Sequence, residues 1–403
     1  MTSPARWLLL SNLSRYVGQF GLFSIIAVTL GSNSAGQYAL ALAITAPVFV
    51  FAGLGMRTVL LTLAQPQALR YYSATRLLSL TAGLILVLGI GSFFGASFAV
   101  TLLLISLLKC ADSFTELNIG VLQSLSRERR TVFLTGATSV ATIFAAVSAS
   151  FLSDDLNSTL LAVAAATFLT TFAVYWVAMR PVLRRVAPAD EVQGSLSTTI
   201  RAVRVIARAG VPTGFSAALI PLMVGIPQYA LTHYWGQSAV AQLATLLYLQ
   251  LAVELVINSL SQAWLVRGKQ IFDRAGLSLR STLGVALSWQ KWAVAVSAAS
   301  IAVGLLLFPA LFGDAFAPTP VEIALVAAGS LCLPFVYASL IVLPIKNLYR
   351  ESMVSNLVAT VTCLAATAAI IPTMGVSGAL VCILLGLLAR ACAALTLAFG
   401  TSR

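Results

Sequence analysis

The sequence predicts an all-α membrane protein of about twelve spanning helices in two six-helix lobes, and three observations support this prediction. The first is composition: 59% of the residues are hydrophobic and 9% are charged, whereas soluble domains carry roughly 25% charged residues. The second is length, because 403 residues leave room for twelve or thirteen helices of about 20 apolar residues and for no sizeable soluble domain. The third is the distribution of basic residues among the loops.

The apolar segments place the helices in order along the chain. The first segment contains Asn12, Arg15 and Gln19 and has no small-residue cleavage site, so we expect it to remain as a helix rather than to be removed as a signal peptide. The predicted helices cover 7–30, 36–63, 73–94, 97–122, 131–152, 158–180, 209–232, 239–264, 287–311, 321–345, 353–372 and 376–398.

The basic residues test this assignment. With the N-terminus in the cytoplasm, 20 of the 24 lysines and arginines fall in inner segments and none of the remaining four lies in an outer loop. The outer loops carry acids instead: Asp154, Asp155, Asp314 and Glu322. Cytoplasmic loops of membrane proteins are enriched in basic residues, so we predict that both termini are cytoplasmic.

The longest inner loop divides the chain into two halves. We predict an N-terminal lobe at 1–182, a cytoplasmic linker at 183–208 and a C-terminal lobe at 209–403. Within the linker, Arg201, Arg204 and Arg208 follow helical spacing. This pattern predicts an amphipathic helix on the anionic inner leaflet.

An internal repeat links the halves. Residues Gly31–Ala39 resemble Gly236–Ala244 at an offset of 205 residues, and each copy lies in the outer loop before the second helix of its half. Two copies with the same membrane orientation indicate parallel repeats related by an axis along the membrane normal.

Polar stripes within three helices identify candidate functional residues. Charges near the bilayer centre cost about 2.5–3.5 kcal/mol each, so they face the protein interior or a water-filled cavity. The spacing of three and four residues places each set on one helix face. The sets are Asn12, Arg15 and Gln19; Lys109, Asp112 and Glu116; and Gln250, Glu254, Asn258 and Gln262. A shared hydrated cavity and polar contacts between helices both explain the stripes, and for Lys109 and Asp112 a structural ion pair is sufficient.

Two further arginines and one proline-rich helix complete the candidates. Arg57 follows Gly53–Leu54–Gly55, where small residues open space beside the helix, and Arg390 is expected to extend toward the cytoplasmic interface. The seventh predicted helix contains Pro212, Pro221 and Pro227. Each proline removes a backbone hydrogen bond, so we expect a kinked or broken helix, which acts either as a hinge or as a static bend.

Several functional classes are disfavoured. The five cysteines lie in apolar runs without a CxxC pair, and His233 is the only histidine. We therefore expect no disulfide framework, no metal site and no cofactor. The net charge of +12 is explained by basic residues in the cytoplasmic loops, which set the orientation in the membrane, rather than by binding to nucleic acid. Motifs of nucleotide hydrolases, zinc proteases and serine hydrolases are absent, so we predict no enzymatic activity.

Three stretches of the chain resemble the O-antigen type of polysaccharide-transport flippases, within the multidrug/oligosaccharidyl-lipid/polysaccharide exporter superfamily. They run from Leu30 to Gly55, from Gly236 to Ala244, and from Asn347 to Ala379. The helix count, loop sizes and central linker agree with the family. The resemblance implies two six-helix lobes forming a V around a central cavity.

The resemblance also implies a function. Members of this family move undecaprenyl-pyrophosphate-linked oligosaccharides, which are repeat units of O-antigen, capsule or exopolysaccharide, from the inner to the outer leaflet of the bacterial cytoplasmic membrane by alternating access. The partners would be the lipid-linked oligosaccharide, the phospholipid bilayer and a downstream polysaccharide polymerase, and the protein would act as a monomer. On this basis we expect Arg15 and Arg57 to bind the pyrophosphate, and Glu254, Asp112 and Glu116 to take part in ion coupling. Asn12, Gln19, Lys109, Gln250, Asn258 and Gln262 would line the cavity, and the three prolines would form a hinge.

Three alternatives remain open at this stage. An ion-coupled drug or metabolite antiporter of the same superfamily would use acids as its main ligands, so Glu254 would matter more than Arg15. A membrane glycosyl- or acyltransferase would need a catalytic loop, for which the short outer loops leave little room. The segment Gly268–Gly276 resembles a loop motif of major facilitator transporters, but the loop between the second and third predicted helices lacks the matching copy.

Overall fold

The computed structural model describes residues 3–62, 68–125, 127, 129–179, 196–275, 278–313, 316–346 and 348–400, and these residues form helices joined by short connections. A π-helical turn at Tyr175–Met179 follows the sixth helix. The α-helices are α1 (Ser3–Ala52), α2 (Met56–Thr62), α3 (Leu69–Gly91), α4 (Ala96–Ser124), α5 (Arg129–Ser150), α6 (Leu156–Val174), α7 (Leu196–Trp235), α8 (Gln237–Ala275), α9 (Leu279–Phe312), α10 (Pro320–Ile345) and α11 (Tyr349–Phe399).

The helices account for twelve membrane crossings. Ten segments of the described chain are long and apolar enough to cross a membrane, and two of them, Leu9–Leu61 and Tyr349–Phe399, contain 53 and 51 residues. Because one crossing needs about 20 residues, each of these two can cross twice. Each is interrupted at one glycine with non-helical torsion angles, Gly31 or Gly375. The predicted all-α, multi-pass fold is confirmed.

The two copies of the sequence repeat share a backbone conformation. Gly31 and Gly236 both have φ of +82°, a left-handed value that side chains other than glycine rarely adopt. The copies also contact each other, since a Cβ atom on Gly36 would collide with the carbonyl of Gln237. The repeat therefore corresponds to the same sharp bend at the same position in each half of the chain.

The outer face of the helices is apolar, as lipid requires. Large hydrophobic side chains such as Val140, Phe144 and Leu306 are exposed on the helix surfaces. In a soluble protein such continuous apolar exposure would cause aggregation. Here it is the surface that contacts the bilayer.

Side-chain caps fix two helix starts in loops that the sequence predicts to be external. The Asp155 carboxylate accepts a hydrogen bond of 2.9 Å from the backbone N–H of Ser158, at the start of α6. This bond lowers the pKa of Asp155. At α10, Thr319 and Glu322 form a capping box. Glu322, which we expected in an outer loop, is buried there and also accepts hydrogen bonds from Gln242 of the second repeat copy.

The chain divides into two compact units. The N-terminal unit contains Leu10–Ile25 and Ile44–Ala218, and the C-terminal unit contains Met1–Leu9, Ile26–Ala43 and Leu219–Arg403. The lobe bounds expected from the sequence, 1–182 and 209–403, stay a prediction. Residues 183–195 of the predicted linker lie outside the described part of the chain, and residues 196–208 lie within it.

The amphipathic helix predicted within the linker is present as the first part of α7. In the N-terminal unit its buried residues Ala202 and Ile206 pack against Val59, Tyr71 and Tyr72. The basic residues Arg201, Arg204 and Arg208 are exposed. The helical spacing of the three arginines agrees with a helix at this position, and its location on the inner leaflet stays a prediction.

The expected break in the proline-rich helix is not found. The helix α7 continues from Leu196 to Trp235 through Pro212, Pro221 and Pro227. Its glycines instead permit close packing in the N-terminal unit. A Cβ on Gly210 would lie 2.6 Å from the carbonyl oxygen of Leu54, and one on Gly214 would lie 2.8 Å from that of Phe51.

Candidate functional site

The central contact of the candidate site is an ion pair between α1 and α4 in the N-terminal unit. Arg15 Nη1 donates to Glu116 Oε1 at 3.1 Å. The two residues are 101 positions apart, so helical spacing alone did not predict their pairing. Arg15 and Glu254 each have a hydrogen-bonded partner in their own unit.

A second arginine is held beside this pair. Arg57 Nε donates to Gln123 Oε1 of α4 at 2.6 Å. Gly120 makes this approach possible, because a Cβ there would lie 3.4 Å from the Cα and Cγ atoms of Arg57. Among the described residues, the Nη1 and Nη2 atoms of Arg57 have no hydrogen-bond partner. The outer edge of this guanidinium therefore remains available to bind an anion.

A third arginine, Arg76, supports the turn that precedes Arg57. Its side chain is 1% exposed, and Nη1 donates to the carbonyl oxygen of Gly53 at 2.9 Å. The next two residues, Leu54 and Gly55, have φ of +50° and +52°, which is strained for leucine. From the sequence, we expected Arg76 among the basic residues of the cytoplasmic segments. The structure instead buries it, where it fixes the start of α2 and hence the position of Arg57.

The polar stripe of α4 completes a charge cluster. Lys109 Nζ lies 3.9 Å from Asp112 Oδ2, as their spacing predicted. Asp112 interacts electrostatically with Arg15, and Glu116 interacts with all three arginines. We call these six residues the N-terminal charge cluster: Arg15, Arg57, Arg76, Lys109, Asp112 and Glu116. With four cations and two carboxylates, the cluster carries a net positive charge of two.

Several members of the N-terminal charge cluster are accessible from outside the protein. The side chains of Arg15 and Glu116 are 25% and 44% exposed, and that of Asp112 is 38% exposed. Exposed charges on membrane-spanning helices are stable only against water, since lipid would not solvate them. We therefore expect the cluster to face a hydrated space in which a polar ligand can reach it.

The C-terminal unit contains a second polar group. Tyr337 Oη on α10 donates to Glu254 Oε1 on α8 at 2.6 Å. Arg390 on α11 interacts electrostatically with both Glu254 and Tyr337. Its Nε donates to Asn356 Oδ1 at 2.7 Å. The predicted snorkelling of Arg390 is wrong, because its side chain is buried with a hydrogen-bonded partner.

The other predicted cavity residues occupy varied environments. Gln250 is buried against Gly329, where a Cβ would lie 3.2 Å from the glutamine Oε1. Further along α8, Gln262 donates to Asn258 at 3.3 Å. Asn12 and Gln19 are partly buried on α1. The roles of these residues in lining a cavity stay a prediction.

Comparisons with known proteins place this geometry in context. No family model matches the chain. The capsular polysaccharide biosynthesis protein CapF of Staphylococcus aureus is 25% identical over 280 residues, which cover 68% of this chain and 67% of CapF. The lipid II flippase MurJ, in an inward closed conformation, superposes with a TM-score of 0.70 at 12% identity, over 98% of this chain and 87% of the flippase.

A second group of solved structures consists of multidrug transporters. An outward-facing multidrug resistance MATE family transporter of the MOP superfamily superposes with a TM-score of 0.62 at 15% identity, over 98% of this chain and 95% of the transporter. The chain has the fold of the MOP superfamily transporters. The superfamily-level fold implied by the sequence resemblance is therefore confirmed, and the chain is a multi-pass membrane protein.

Proposed function

We propose that the chain is a flippase for undecaprenyl-pyrophosphate-linked oligosaccharides, which it moves from the inner to the outer leaflet of the bacterial cytoplasmic membrane by alternating access. The glycan is a repeat unit of a surface polysaccharide such as O-antigen, capsule or exopolysaccharide. Arg15 and Arg57 bind the pyrophosphate. The likeness to MurJ and to CapF supports this proposal.

The N-terminal charge cluster is the observation that carries the proposal. A membrane protein that moves a neutral or cationic solute has no need of two arginines, Arg15 and Arg57, beside one accessible position within the membrane. A diphosphate headgroup does need them, because its charges would otherwise cross hydrocarbon without compensation. Guanidinium groups donate two parallel hydrogen bonds to phosphate oxygens, which a lysine cannot do.

A genetic experiment tests the function and the two arginines together. A strain lacking the protein should lose surface glycan and accumulate diphosphate-linked oligosaccharide in the inner leaflet. Wild-type protein should restore the glycan, whereas the Arg15→Lys, Arg57→Lys double variant should restore at least about a hundredfold less, because each lysine loses bidentate recognition worth roughly 1.5–3 kcal/mol. Surface glycan is quantified by labelling, and the lipid-linked intermediate by mass spectrometry.

The control variant is Arg204→Lys, an exposed arginine on α7 outside the N-terminal charge cluster. It should restore glycan to the wild-type level. Near-normal glycan from the double variant, expressed at the wild-type level, would refute the pyrophosphate role. Accumulation of no lipid-linked oligosaccharide in the deletion strain would refute the flippase function.

A second candidate function is an ion-coupled antiporter of drugs or metabolites. The observations that favour it are the likeness to multidrug resistance transporters and the hydrogen-bonded carboxylate Glu254. An antiporter of cationic drugs would depend on Glu254 and tolerate the two arginine substitutions. The double variant above therefore also separates the two functions.

A further inference from the structure

We propose that Glu116 is an internal competitor for the substrate headgroup: its carboxylate occupies the Arg15 guanidinium in the empty protein, and the diphosphate displaces it on binding. The inference rests on the proposed function and concerns the same charge cluster. It assigns to Glu116 a role in setting affinity and release, in place of the ion coupling expected from the sequence.

The geometry of the ion pair favours exchange. The Glu116 side chain is the more exposed partner, at 44% against 25% for Arg15, so an incoming anion can reach the contact from the accessible side. Removing one partner of an ion pair is costly when the other charge is left alone in a buried position. Glu116 is not left alone, because it also interacts with Arg57 and Arg76. The carboxylate can therefore leave Arg15 and keep electrostatic partners.

The charge of the N-terminal charge cluster identifies the class of ligand. Four cations and two carboxylates leave two positive charges uncompensated. A diphosphate diester carries one negative charge on each phosphate and neutralises the cluster. A monophosphate diester, with one negative charge, leaves one positive charge over, and a cationic drug adds to the excess. The cluster is therefore matched to a headgroup with two negative charges.

Competition has a functional consequence for a transporter. A site in which Arg15 and Arg57 had no competing carboxylate would hold a diphosphate tightly and release it slowly. Glu116 lowers the net gain on binding, because each diphosphate that binds must first replace an existing charge-assisted hydrogen bond. The carboxylate then returns to Arg15 as the headgroup leaves. Glu116 thus favours turnover over retention.

The test measures binding by the full-length chain in lipid nanodiscs, with a sugar-linked undecaprenyl diphosphate, a sugar-linked undecaprenyl monophosphate and undecaprenol as probes. Glu116→Gln should bind the diphosphate about tenfold more tightly than wild type, because one competing charge-assisted bond is removed. The gain should appear mainly as slower dissociation. Asp112→Asn is the matched control: it removes the same charge from the same helix, so it should tighten binding by less than about threefold through general electrostatics.

Each result has one meaning. Glu116→Gln binding no tighter than Asp112→Asn would overturn the competitor role while leaving the flippase function intact. Wild-type protein that binds the diphosphate no better than undecaprenol would refute the proposed function, and this inference with it. If Glu116→Gln does not fold, Glu116→Asp replaces it. The shorter carboxylate weakens the 3.1 Å contact and should give intermediate tightening, whereas wild-type affinity in this variant would contradict the proposal.

Discussion

The arginines of the membrane-spanning helices differ in the kind of acceptor that satisfies them. Arg15 is paired with a carboxylate, whereas Arg57 and Arg390 donate to the side-chain amides of Gln123 and Asn356. An amide oxygen satisfies the N–H group but adds no negative charge. The N-terminal charge cluster therefore keeps a net positive charge within the membrane, which is expensive, and under the proposed function an anionic ligand compensates it.

At the residue scale, Glu254 is predicted to couple transport to an ion or proton gradient. It is a carboxylate within a membrane-spanning helix, with Tyr337 and Arg390 as its polar neighbours. Glu254→Gln retains a side-chain oxygen that accepts from Tyr337 but cannot carry the charge. We expect its transport in reconstituted vesicles to lose most of its dependence on pH and membrane potential.

The matched control for this prediction is Tyr337→Phe, which removes the 2.6 Å hydrogen bond and keeps the carboxylate. This variant should retain gradient-dependent transport at a reduced rate. If Glu254→Gln transports with unchanged pH and voltage dependence, Glu254 only holds the C-terminal unit together and the coupling hypothesis fails.

Helical spacing predicted part of the candidate site and could not predict the rest. It placed Lys109 beside Asp112, because residues three apart are neighbours on a helix. It also placed Arg15 on one face with Asn12 and Gln19. Spacing specifies a helix face but not the helix that packs against it, so the partners Gln123, Tyr337 and Asn356 were missed. Arg76 was missed because a basic residue near a helix end has the same sequence signature whether it is in a loop or buried.

At the element scale, the helix breaks depend on single glycines. Gly31 has φ of 82° and ψ of 175°, a region that is essentially restricted to glycine and costs other residues about 1–3 kcal/mol. No atom lies within 4 Å of the position of a Cβ at Gly31 or at Gly236. Backbone strain is therefore the only cost of an alanine at either position. Gly31→Ala and Gly236→Ala should each lower the thermal unfolding midpoint in detergent.

A helical glycine provides the control for these substitutions. Gly89 on α3 also has open space around it, but its φ is not positive. Gly89→Ala should leave the unfolding midpoint unchanged or raise it, since alanine favours the helix over glycine. Equal effects at Gly89 and Gly31 would show that the bend is not maintained by backbone conformation.

The sequence predicted the helices well because their signal is length and hydrophobicity, which a bilayer imposes directly. The sequence predicted a non-helical gap at 31–35, whereas in the structure a single glycine makes the bend. The difference arises because a short polar segment looks like a loop in the sequence whether or not it stays helical. The sequence also predicted a kink or a break at the prolines of α7. Proline disturbs a helix locally, yet α7 continues through all three.

At the scale of the whole molecule, fold and function are separate arguments. The chain superposes on both a lipid flippase and multidrug transporters, so the fold alone does not choose between their substrates. Under the proposed function, the N-terminal charge cluster on α1, α2, α3 and α4 supplies the distinction, because its net positive charge would favour a dianionic lipid headgroup over a cationic drug.

The last prediction concerns orientation, which also belongs to the whole molecule. The partition of basic residues predicts that the loop between α5 and α6 is external and that the segment around position 190, outside the described residues, is cytoplasmic. Leu152 lies in the loop between α5 and α6 and is 87% exposed. We choose it as the labelling position in place of Asp155, because Asp155 caps α6. In a variant without the native cysteines, a cysteine at position 152 should react with an impermeant maleimide added to intact cells. A cysteine at position 190 should react only after the membrane is opened. If intact cells label position 190 and not position 152, the predicted topology is inverted. The N-terminal charge cluster would then lie toward the outer leaflet, whereas the proposed lipid-linked substrate is made in the inner leaflet.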